Sequence, residues 1–424
     1  MKSFLKMIVA NMLAIVARAV VHRYAPRIVM VTGSVGKSST KDAIAAVLAK
    51  RFFVRKSEKN LNTEFGVPYT ILGVKDPWGT FFGWVSVMKA SLALLLLPNH
   101  YPNLLVLEVG ADRPGDLARI LSIANPVAVV VTRLPEVPVH VEAYSSPEAV
   151  REEEFSPAYS LKNGEPLILS ADDPYALDSA VRTSARIISY GTSEDSMVRI
   201  SDIGFYESGG KVAGMQATIS MNGQQENLVV KGSVGTTHLF PAAAAVALAG
   251  AFDIPLPEAL KALDGYEPPP GRGRLFAGIK GSIIIDDSYN ASPVAVEEAL
   301  STLKSFPRAK RRIAVLGDML ELGRYSAIEH DRIGALAKDS ADIVVAIGVR
   351  TRAFAAAKGK TEVMLFNTAR AAAEALPALI RKDDAILVKG SQSMRTERVV
   401  EAMLAHPSDA LFLVRQEREW KRKV

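Results

Sequence analysis

Runs of consecutive apolar residues alternate with helical stretches along most of the chain. Residues 104–108 and 127–132 form two such runs, and a helical stretch at 115–124 lies between them. Strands that are apolar on both faces are typical of buried parallel sheets. Between 186 and 232 the pattern changes to short alternating runs separated by glycines, which predicts an antiparallel appendage. An alanine-rich helix is predicted at 241–251.

The second half of the chain repeats the alternation after a segment rich in proline and glycine. Residues 265–274 contain three consecutive prolines followed by glycines, which is typical of a linker. Beyond it, apolar runs separated by helical stretches predict strands at 282–286, 312–316, 343–347, 363–366 and 385–388. This order predicts a Rossmann-like α/β domain.

The predicted fold is therefore α/β and has three parts. An N-terminal helix occupies 1–26, a parallel-sheet domain with its antiparallel appendage occupies 27–266, and the Rossmann-like domain occupies 267–424. The composition agrees, because 424 residues of which 49% are hydrophobic can fill two or three cores. The absence of cysteine excludes disulfides, thiolate metal sites and cysteine nucleophiles. The net charge of +6 is modest for this length, and we predict no nucleic-acid partner.

Two apolar segments stand outside this pattern. Residues 7–17 follow two lysines, lack a signal-peptide cleavage site and are too short to cross a bilayer before Arg18. They predict a helix that lies on a membrane surface or on the protein itself. Residues 74–102 carry a single charge between positions 78 and 98, at Lys89. That insertion predicts a membrane-seeking hairpin, a partner-binding helix or a buried core helix, and the two segments together favour peripheral membrane contact.

The first predicted strand leads into a stretch with the chemistry of a phosphate-binding loop. Residues 28–40 run from an apolar strand through a glycine turn to a lysine, hydroxyl residues and a helix. The glycines let backbone N–H groups face an anion, and the helix dipole and the lysine attract it. The serine after the lysine is placed to give its hydroxyl to Mg²⁺. Val31 stands where the usual P-loop has its first glycine, so the loop is a shortened form. The predicted nucleotide-binding residues are Gly33, Ser34, Gly36, Lys37, Ser38 and Ser39.

This shortened loop resembles that of the Mur ligase family, and further stretches are similar to its MurF branch. They include Asn-Leu-Asn with Gly-Val-Pro, Asp-Asp-Ser-Tyr-Asn-Ala, and Leu-Gly-Asp-Met-Leu-Glu-Leu-Gly. The matching stretches are 60–72, 107–111, 285–293, 315–323 and 387–391. The resemblance runs from about Arg27 to the C-terminus. It implies a cytoplasmic, ATP- and Mg²⁺-dependent amide ligase of cell-wall precursor synthesis. Such a ligase activates an acceptor carboxylate as an acyl phosphate and joins D-alanyl-D-alanine to it.

The resemblance also implies roles for individual residues of the first domain. Lys37 would contact the β- and γ-phosphates, Ser38 and Glu108 would bind one Mg²⁺, and His140 would bind a second. A carboxylate such as Glu108 at the end of an apolar strand is costly to bury without a partner. A single histidine is more often a structural hydrogen-bonding residue, and that alternative stays open for His140.

In the second domain the resemblance implies that Asp287 binds the ribose of ATP and that Arg272 reaches the phosphates. Asp286 and Arg274 are alternatives, because the sequence does not fix the direction of these side chains. Asp318 could equally cap a helix. The residues implied to contact the acceptor or the incoming amine are Asn60, Asn62, Asp318, Lys389 and Ser391.

The chain departs from the family pattern at two positions near the nucleotide. His238 and Pro241 replace two amide residues of the family's adenine pocket, and we assign His238 to nucleotide binding. Glu154 aligns with a lysine that most members carbamylate to help bind the second Mg²⁺. A glutamate supplies a carboxylate directly, so Glu154 is a predicted metal ligand, and either preceding glutamate could serve instead. The alternative is a solvated acidic helix face on which Glu154 pairs with Arg151.

From the resemblance, which starts at about Arg27, we expect this chain to lack the family's N-terminal UDP-sugar-binding domain. The first hypothesis is a MurF-like ligase that acts on a UDP-muramoyl-peptide-like acceptor and D-alanyl-D-alanine. The alternatives are a ligase with a lipid-linked or non-murein acceptor, and a non-catalytic nucleotide-binding scaffold at the membrane. The matching loop, carboxylates and arginine argue against loss of catalysis. We expect the protein in the cytoplasm, at the inner face of the membrane.

Overall fold

The strands of the protein form two sheets, one in each half of the chain. The structure is a computed structural model that describes residues 2–58, 61–78, 80–359 and 361–421. Parallel strands alternate with helices in both halves, so the predicted α/β class is confirmed.

The first sheet begins at the predicted phosphate-binding loop. Within the described residues its strands are β1 (Arg27–Thr32), β2 (Val54–Lys56), β3 (Leu104–Glu108), β4 (Ala128–Val131), β5 (Pro166–Ser170), β6 (Arg186–Gly191), β7 (Val198–Ser208), β8 (Lys211–Met221) and β9 (Gln224–Lys231). Their order is β2-β3-β1-β4-β5-β6-β7-β8-β9. Neighbours are parallel as far as β7, and β8 and β9 are antiparallel. The predicted antiparallel appendage is thus correct for β7 to β9 and wrong for β6, because a helix returns the chain from β5 to a parallel neighbour.

Helices cover both faces of this sheet. In chain order they are α1 (Lys2–Tyr24), α2 (Lys37–Leu48), α3 (Gly66–Leu72), α4 (Phe81–Leu96), α5 (Asp116–Leu121), α6 (Pro147–Tyr159), α7 (Pro174–Ala180), α8 (Leu239–Ala251) and α9 (Leu256–Leu263). Helices α2, α8 and α9 share one apolar core with the sheet, and α1, α3 and α6 share the core on its other face. The alanines of α8 are buried, which lets this predicted helix pack closely on α2.

The second sheet is parallel except at one edge. Its strands are β10 (Arg274–Ala277), β11 (Ile283–Asp287), β12 (Arg311–Gly317), β13 (Ile343–Ile347), β14 (Val363–Phe366) and β15 (Asp384–Lys389). Among the described residues their order is β10-β11-β15-β12-β13-β14. The helices are α10 (Pro293–Ser305), α11 (Ser326–Ser340), α12 (Ala353–Ala356), α13 (Ala369–Leu379), α14 (Glu397–Met403) and α15 (Arg418–Lys421). The predicted linker ends inside this sheet, because Arg274 starts β10 and pairs with Asp286 of β11.

The two apolar segments form helices on the surface of the first domain. Helix α1 spans Lys2–Tyr24, within the 1–26 predicted for an N-terminal helix, and its Lys6–Tyr24 part is long and apolar enough to cross a membrane by length and composition. Core helices and signal sequences pass the same test. The described part of the insertion contains one helix, α4, instead of a hairpin. Its buried residues are Val87 and Leu94, so the prediction of a buried core helix is wrong.

Candidate active site

The loop after β1 has the backbone geometry that a phosphate cradle needs. Gly33 has a φ of 111°, and a Cβ atom there would lie 2.4 Å from Thr132 Oγ1. Gly36 has a φ of 90° and lies just before α2. Both positions therefore favour glycine. Helix α2 begins at Lys37, so its N-terminal N–H groups point into the loop, and the Lys37 ammonium donates a hydrogen bond to the Gly33 carbonyl.

Glu108 lies at the end of β3, beside the start of α2. Its side chain is buried, and its Oε1 accepts a hydrogen bond of 3.1 Å from the Ser38 hydroxyl. Its Oε2 lies 3.4 Å from the ammonium of buried Lys41. Lys41 was missed in the sequence, although it follows Lys37 by one helical turn. A hydroxyl beside a carboxylate is a donor set that fits Mg²⁺.

No group of three or more histidine or carboxylate side chains arranged to hold a metal occurs in the described residues. Mg²⁺ in nucleotide sites is held by one or two carboxylates together with phosphates and waters. Ser38 and Glu108 thus fit one such ion.

Glu154 extends from α6 toward the loop. Its side chain is 3% exposed, and its Oε2 accepts a hydrogen bond of 2.5 Å from the Ser34 hydroxyl. Burial raises the pKa of Glu154, while the positive charge of Lys37 acts in the opposite direction. The alternative of a solvated face is wrong, because Arg151 pairs with Glu148 at 2.8 Å.

The two glutamates before Glu154 face elsewhere. Glu152 pairs with Arg182 on the surface at 2.7 Å. Glu153 accepts hydrogen bonds from the N–H groups of Gly115 and Leu117 at the start of α5. Glu154 is therefore the member of this run that lies beside the loop.

His140 stands between carboxylates of the two domains. Its Nδ1 is 3.2 Å from Glu321 Oε2, and its Nε2 is 3.5 Å from Asp112 Oδ1. Glu321 belongs to the second domain, so His140 lies where the domains meet. Both carboxylates were missed in the sequence, although Glu321 stands inside the matching stretch at 315–323.

In the second domain Asp287 and Lys389 form an ion pair at the carboxyl ends of β11 and β15. Lys389 Nζ lies 2.6 Å from Asp287 Oδ2 and donates a second hydrogen bond to the Asn290 carbonyl. Asp286 points the other way, into the domain, where Ser288 donates hydrogen bonds to it. Burial raises the pKa of Asp286 to about 6. Of the two aspartates, Asp287 is the one that faces the first domain.

Arg272 lies at the junction of the domains. Its guanidinium is 4.2 Å from the centre of the Tyr289 ring, a cation–π contact that sequence reasoning missed. Arg274 pairs instead with Glu267 at 3.5 Å. His238 is buried next to Gly273. Burial lowers the pKa of His238 to about 3, and the charges of Arg272 and Lys389 act in the same direction.

Ten of the predicted residues line one cleft between the domains, and Glu154 is not part of its lining. The volume of the cleft is about 770 Å³, within the roughly 300–1,000 Å³ typical of a small-molecule site. The predicted residues that line it are Ser34, Gly36, Lys37, Ser38, Asn62, Glu108, His140, Arg272, Lys389 and Ser391. An adjoining cavity contains Gly36, Ser39, His238, Arg272 and Asp287.

Two predicted substrate residues are not in the cleft lining. Asp318 accepts hydrogen bonds from the N–H groups of Val349 and Thr351 at 3.1 and 2.8 Å, so it caps a turn of the second domain. The two N–H groups belong to a turn 31 and 33 residues further along the chain, and the assignment of Asp318 to the amine pocket stays a prediction. Asn60 lies outside the described residues.

A nucleotide loop on one α/β domain that faces an aspartate and a lysine of another is the arrangement of a two-domain ATP-dependent ligase. Residues 31–249 match the Mur ligase middle domain, and residues 271–392 match the Mur ligase glutamate ligase domain. The chain belongs to the Mur ligase family of ATP-dependent peptide ligases.

Individual relatives point to one branch of this family. The chain is 29% identical to a UDP-N-acetylmuramoyl-tripeptide--D-alanyl-D-alanine ligase of Bacillus subtilis, with 92% of this chain and 79% of that protein covered. The Mycobacterium leprae protein of the same name is 30% identical, with coverages of 87% and 71%. The crystal structure of MurF ligase from Thermotoga maritima with ADP superposes with a TM-score of 0.77 at 26% identity, with coverages of 95% and 84%.

Proposed function

We propose that the protein joins D-alanyl-D-alanine to the terminal carboxylate of a UDP-muramoyl-tripeptide-like acceptor, with ATP and Mg²⁺. The observation that carries the proposal is the cleft in which the loop and Glu108 of the first domain face Lys389 and Ser391 of the second. Relatives named for this reaction support the choice of substrates.

The first domain would hold the phosphates of the nucleotide. When bound, ATP supplies the phosphoryl group that activates the acceptor carboxylate, and Mg²⁺ neutralises charge on the phosphates. The N–H groups of the loop and the Lys37 ammonium stabilise the charge of the transferring group. Ser38 and Glu108 would hold one Mg²⁺, since their oxygens lie 3.1 Å apart beside the loop.

A second Mg²⁺ would lie near His140 and Glu154. Glu154 presents a carboxylate on the Ser34 side of the loop. Burial raises the pKa of this carboxyl, and the positive charge of Lys37 acts in the opposite direction. In this proposal the carboxylate of Glu154 replaces the carbamate of a carbamylated lysine as a metal ligand, so no CO₂ is needed. A bridging water would make up the shorter reach of the glutamate.

The second domain would hold the ribose and the incoming amine. Asp287 has a carboxylate that can accept hydrogen bonds from ribose hydroxyls, and Arg272 lies close enough to reach the phosphates from the cavity that it shares with Asp287. Lys389 and Ser391, with Asn62 across the cleft, are placed to orient the dipeptide and the acceptor. We place the reaction in the cytoplasm, at the inner face of the membrane.

The test is phosphate release from ATP with each substrate supplied separately and together. We expect rapid release only when a UDP-muramoyl-tripeptide and D-alanyl-D-alanine are both present, with formation of the extended peptide. Release with another acceptor in place of the tripeptide would contradict the proposed acceptor. Nucleotide binding without release under any combination would indicate a scaffold.

A further inference from the structure

Helices α1 and α4 expose apolar side chains on the surface of the first domain. The side of each helix that faces away from these residues is buried in the domain. It contains Ala17 and Val20 in α1, and Val87 and Leu94 in α4. The remaining sides form what we name the α1–α4 face. Its most exposed apolar residues, between 58% and 82% accessible, are Met12, Ile15, Phe81, Phe82, Met88 and Leu96. An apolar surface of this kind on two neighbouring helices indicates an interaction site.

The two helices run parallel and are fixed to each other. At their N-terminal ends, the Lys6 ammonium lies 5.8 Å from the centre of the Trp78 ring. At their C-terminal ends, Arg23 donates a hydrogen bond to the Leu95 carbonyl, and the Tyr24 hydroxyl donates one of 2.9 Å to the Leu94 carbonyl. The α1–α4 face is therefore preformed by contacts within the domain.

The charges on these helices have one sign. Neither α1 nor α4 contains an aspartate or glutamate, whereas both contain basic residues. Lys89 is exposed on the apolar side of α4, and Lys6 and Arg23 are exposed at the two ends of α1. Apolar residues interspersed with cations match the interface of an anionic bilayer, where the side chains enter the headgroup region and the cations meet lipid phosphates. A second copy that packed through the same face would bring cations of the same sign, which disfavours that arrangement.

The aromatic end of the α1–α4 face adjoins the cleft. The Trp78 ring packs edge-on against the Phe65 ring, with centroids 5.8 Å apart. Phe65 precedes α3, and three residues earlier Asn62 lines the cleft between the domains. We propose that the α1–α4 face docks the protein on an anionic membrane and thereby places the mouth of the cleft beside the bilayer surface.

Co-sedimentation with vesicles tests this docking. The full chain is mixed with vesicles of phosphatidylcholine alone or of phosphatidylcholine with phosphatidylglycerol. We expect sedimentation with the anionic vesicles, weakened by salt, and at least about a tenfold loss of partitioning in Phe81→Asp/Phe82→Asp and in Lys89→Glu. Val181→Asp/Leu411→Asp is the matched control, because it changes two side chains of 79% and 80% exposure outside the face.

Circular dichroism and ADP binding are measured for every variant, and Lys89→Glu tests the proposal if the double variant fails to fold. A wild-type chain that stays in solution with anionic vesicles overturns the proposal. Equal loss in the control also overturns it. Analytical ultracentrifugation measures the oligomeric state of the wild type and of Lys89→Glu. A wild-type dimer that becomes tighter in Lys89→Glu would mean that a second copy covers the α1–α4 face, which also overturns the proposal. Because these measurements need no turnover, they are independent of the proposed ligase reaction.

Discussion

At the scale of single residues, the lysine of the phosphate-binding loop is the simplest group to test. Lys37 extends from the first turn of α2 back over the loop, where its ammonium contacts a backbone carbonyl and fills no apolar core. We expect Lys37→Ala to lower ligation by about 100-fold or more, because it removes a charge that stabilises the transferring phosphoryl group. The thermal unfolding midpoint should stay near that of the wild type. Near-normal turnover, or an unfolded variant, would contradict the assignment.

Glu154 allows a sharper test of metal binding. We expect Glu154→Gln to require much more Mg²⁺ for turnover, since the amide keeps the shape and the hydrogen bond to Ser34 but removes the negative charge. Wild-type activity should not change when bicarbonate and CO₂ are removed. Glu153→Gln is the matched control, because that side chain caps α5 away from the loop. A normal Mg²⁺ dependence in Glu154→Gln would rule out its role as a ligand.

His238 should make stability depend on pH. Its pKa is about 3 in the folded protein and near 6.5 in the unfolded chain, so between these values the unfolded state binds the extra proton. The stabilisation is complete above pH 6.5 and is lost as the pH falls toward 3. We therefore expect the free energy of unfolding to fall by about 1 kcal/mol per pH unit more in the wild type than in His238→Gln. Urea titrations between pH 6.5 and 4.5 measure the free energy of unfolding of the wild type and of His238→Gln. The same pH dependence in the two proteins would contradict the burial of a neutral imidazole.

At the scale of elements, α14 connects the C-terminal segment to the loop after β11. Glu397 at its start pairs with Arg395 at 2.6 Å and with Arg415 at 2.8 Å, and the three side chains are largely buried. Arg415 also donates hydrogen bonds to the carbonyls of Ser288 and Tyr289, whose neighbours face the cleft. This cluster thus holds the strand end that carries Asp287 and the ring beneath Arg272.

We expect Glu397→Gln to destabilise the second domain by about 3–5 kcal/mol, because two buried guanidinium groups lose their countercharge. Arg415→Gln should cost less, since Glu397 keeps Arg395. Chemical denaturation of both variants gives the comparison. A larger loss of unfolding free energy in Arg415→Gln would mean that its hydrogen bonds to the Ser288 and Tyr289 carbonyls stabilise the domain more than the ion pairs do.

The elements also show what the sequence can and cannot predict. Strands β3 and β13 coincide with their predicted ranges, because strands buried on both faces appear as unbroken apolar runs. The edge strand β14 also coincides with its predicted range, although none of its residues is fully buried. The direction of β6 was wrong, since a six-residue strand carries no signal of which neighbour it pairs with.

The same limit applies to the candidate site. The loop residues were predictable because glycine is needed at φ values of 111° and 90°. The direction of the Asp318 side chain could not be predicted, and neither could the two carboxylates beside His140. Both depend on how segments that are distant in the sequence meet in the fold.

At the scale of the whole molecule, the cleft depends on both domains being held together. Arg133 of the first domain pairs with Glu298 of α10, and His140 meets Glu321. Between them the chain crosses once through the hinge, where the N–H of Val234 donates a hydrogen bond to the Gly273 carbonyl. A hinge between two α/β domains suits an enzyme that closes over its substrates.

The ion pair between Asp287 and Lys389 has a consequence for the order in which substrates act. The carboxylate proposed for the ribose is already occupied by the ammonium proposed for the dipeptide, at 2.6 Å. A nucleotide that takes up Asp287 frees Lys389 for the dipeptide carboxylate, so each ligand should tighten the binding of the other by the same factor. Calorimetric titration of ADP with and without D-alanyl-D-alanine measures that factor. In Lys389→Met it should vanish, and ligands that bind independently to the wild type would show that the pair transmits nothing between the two sites.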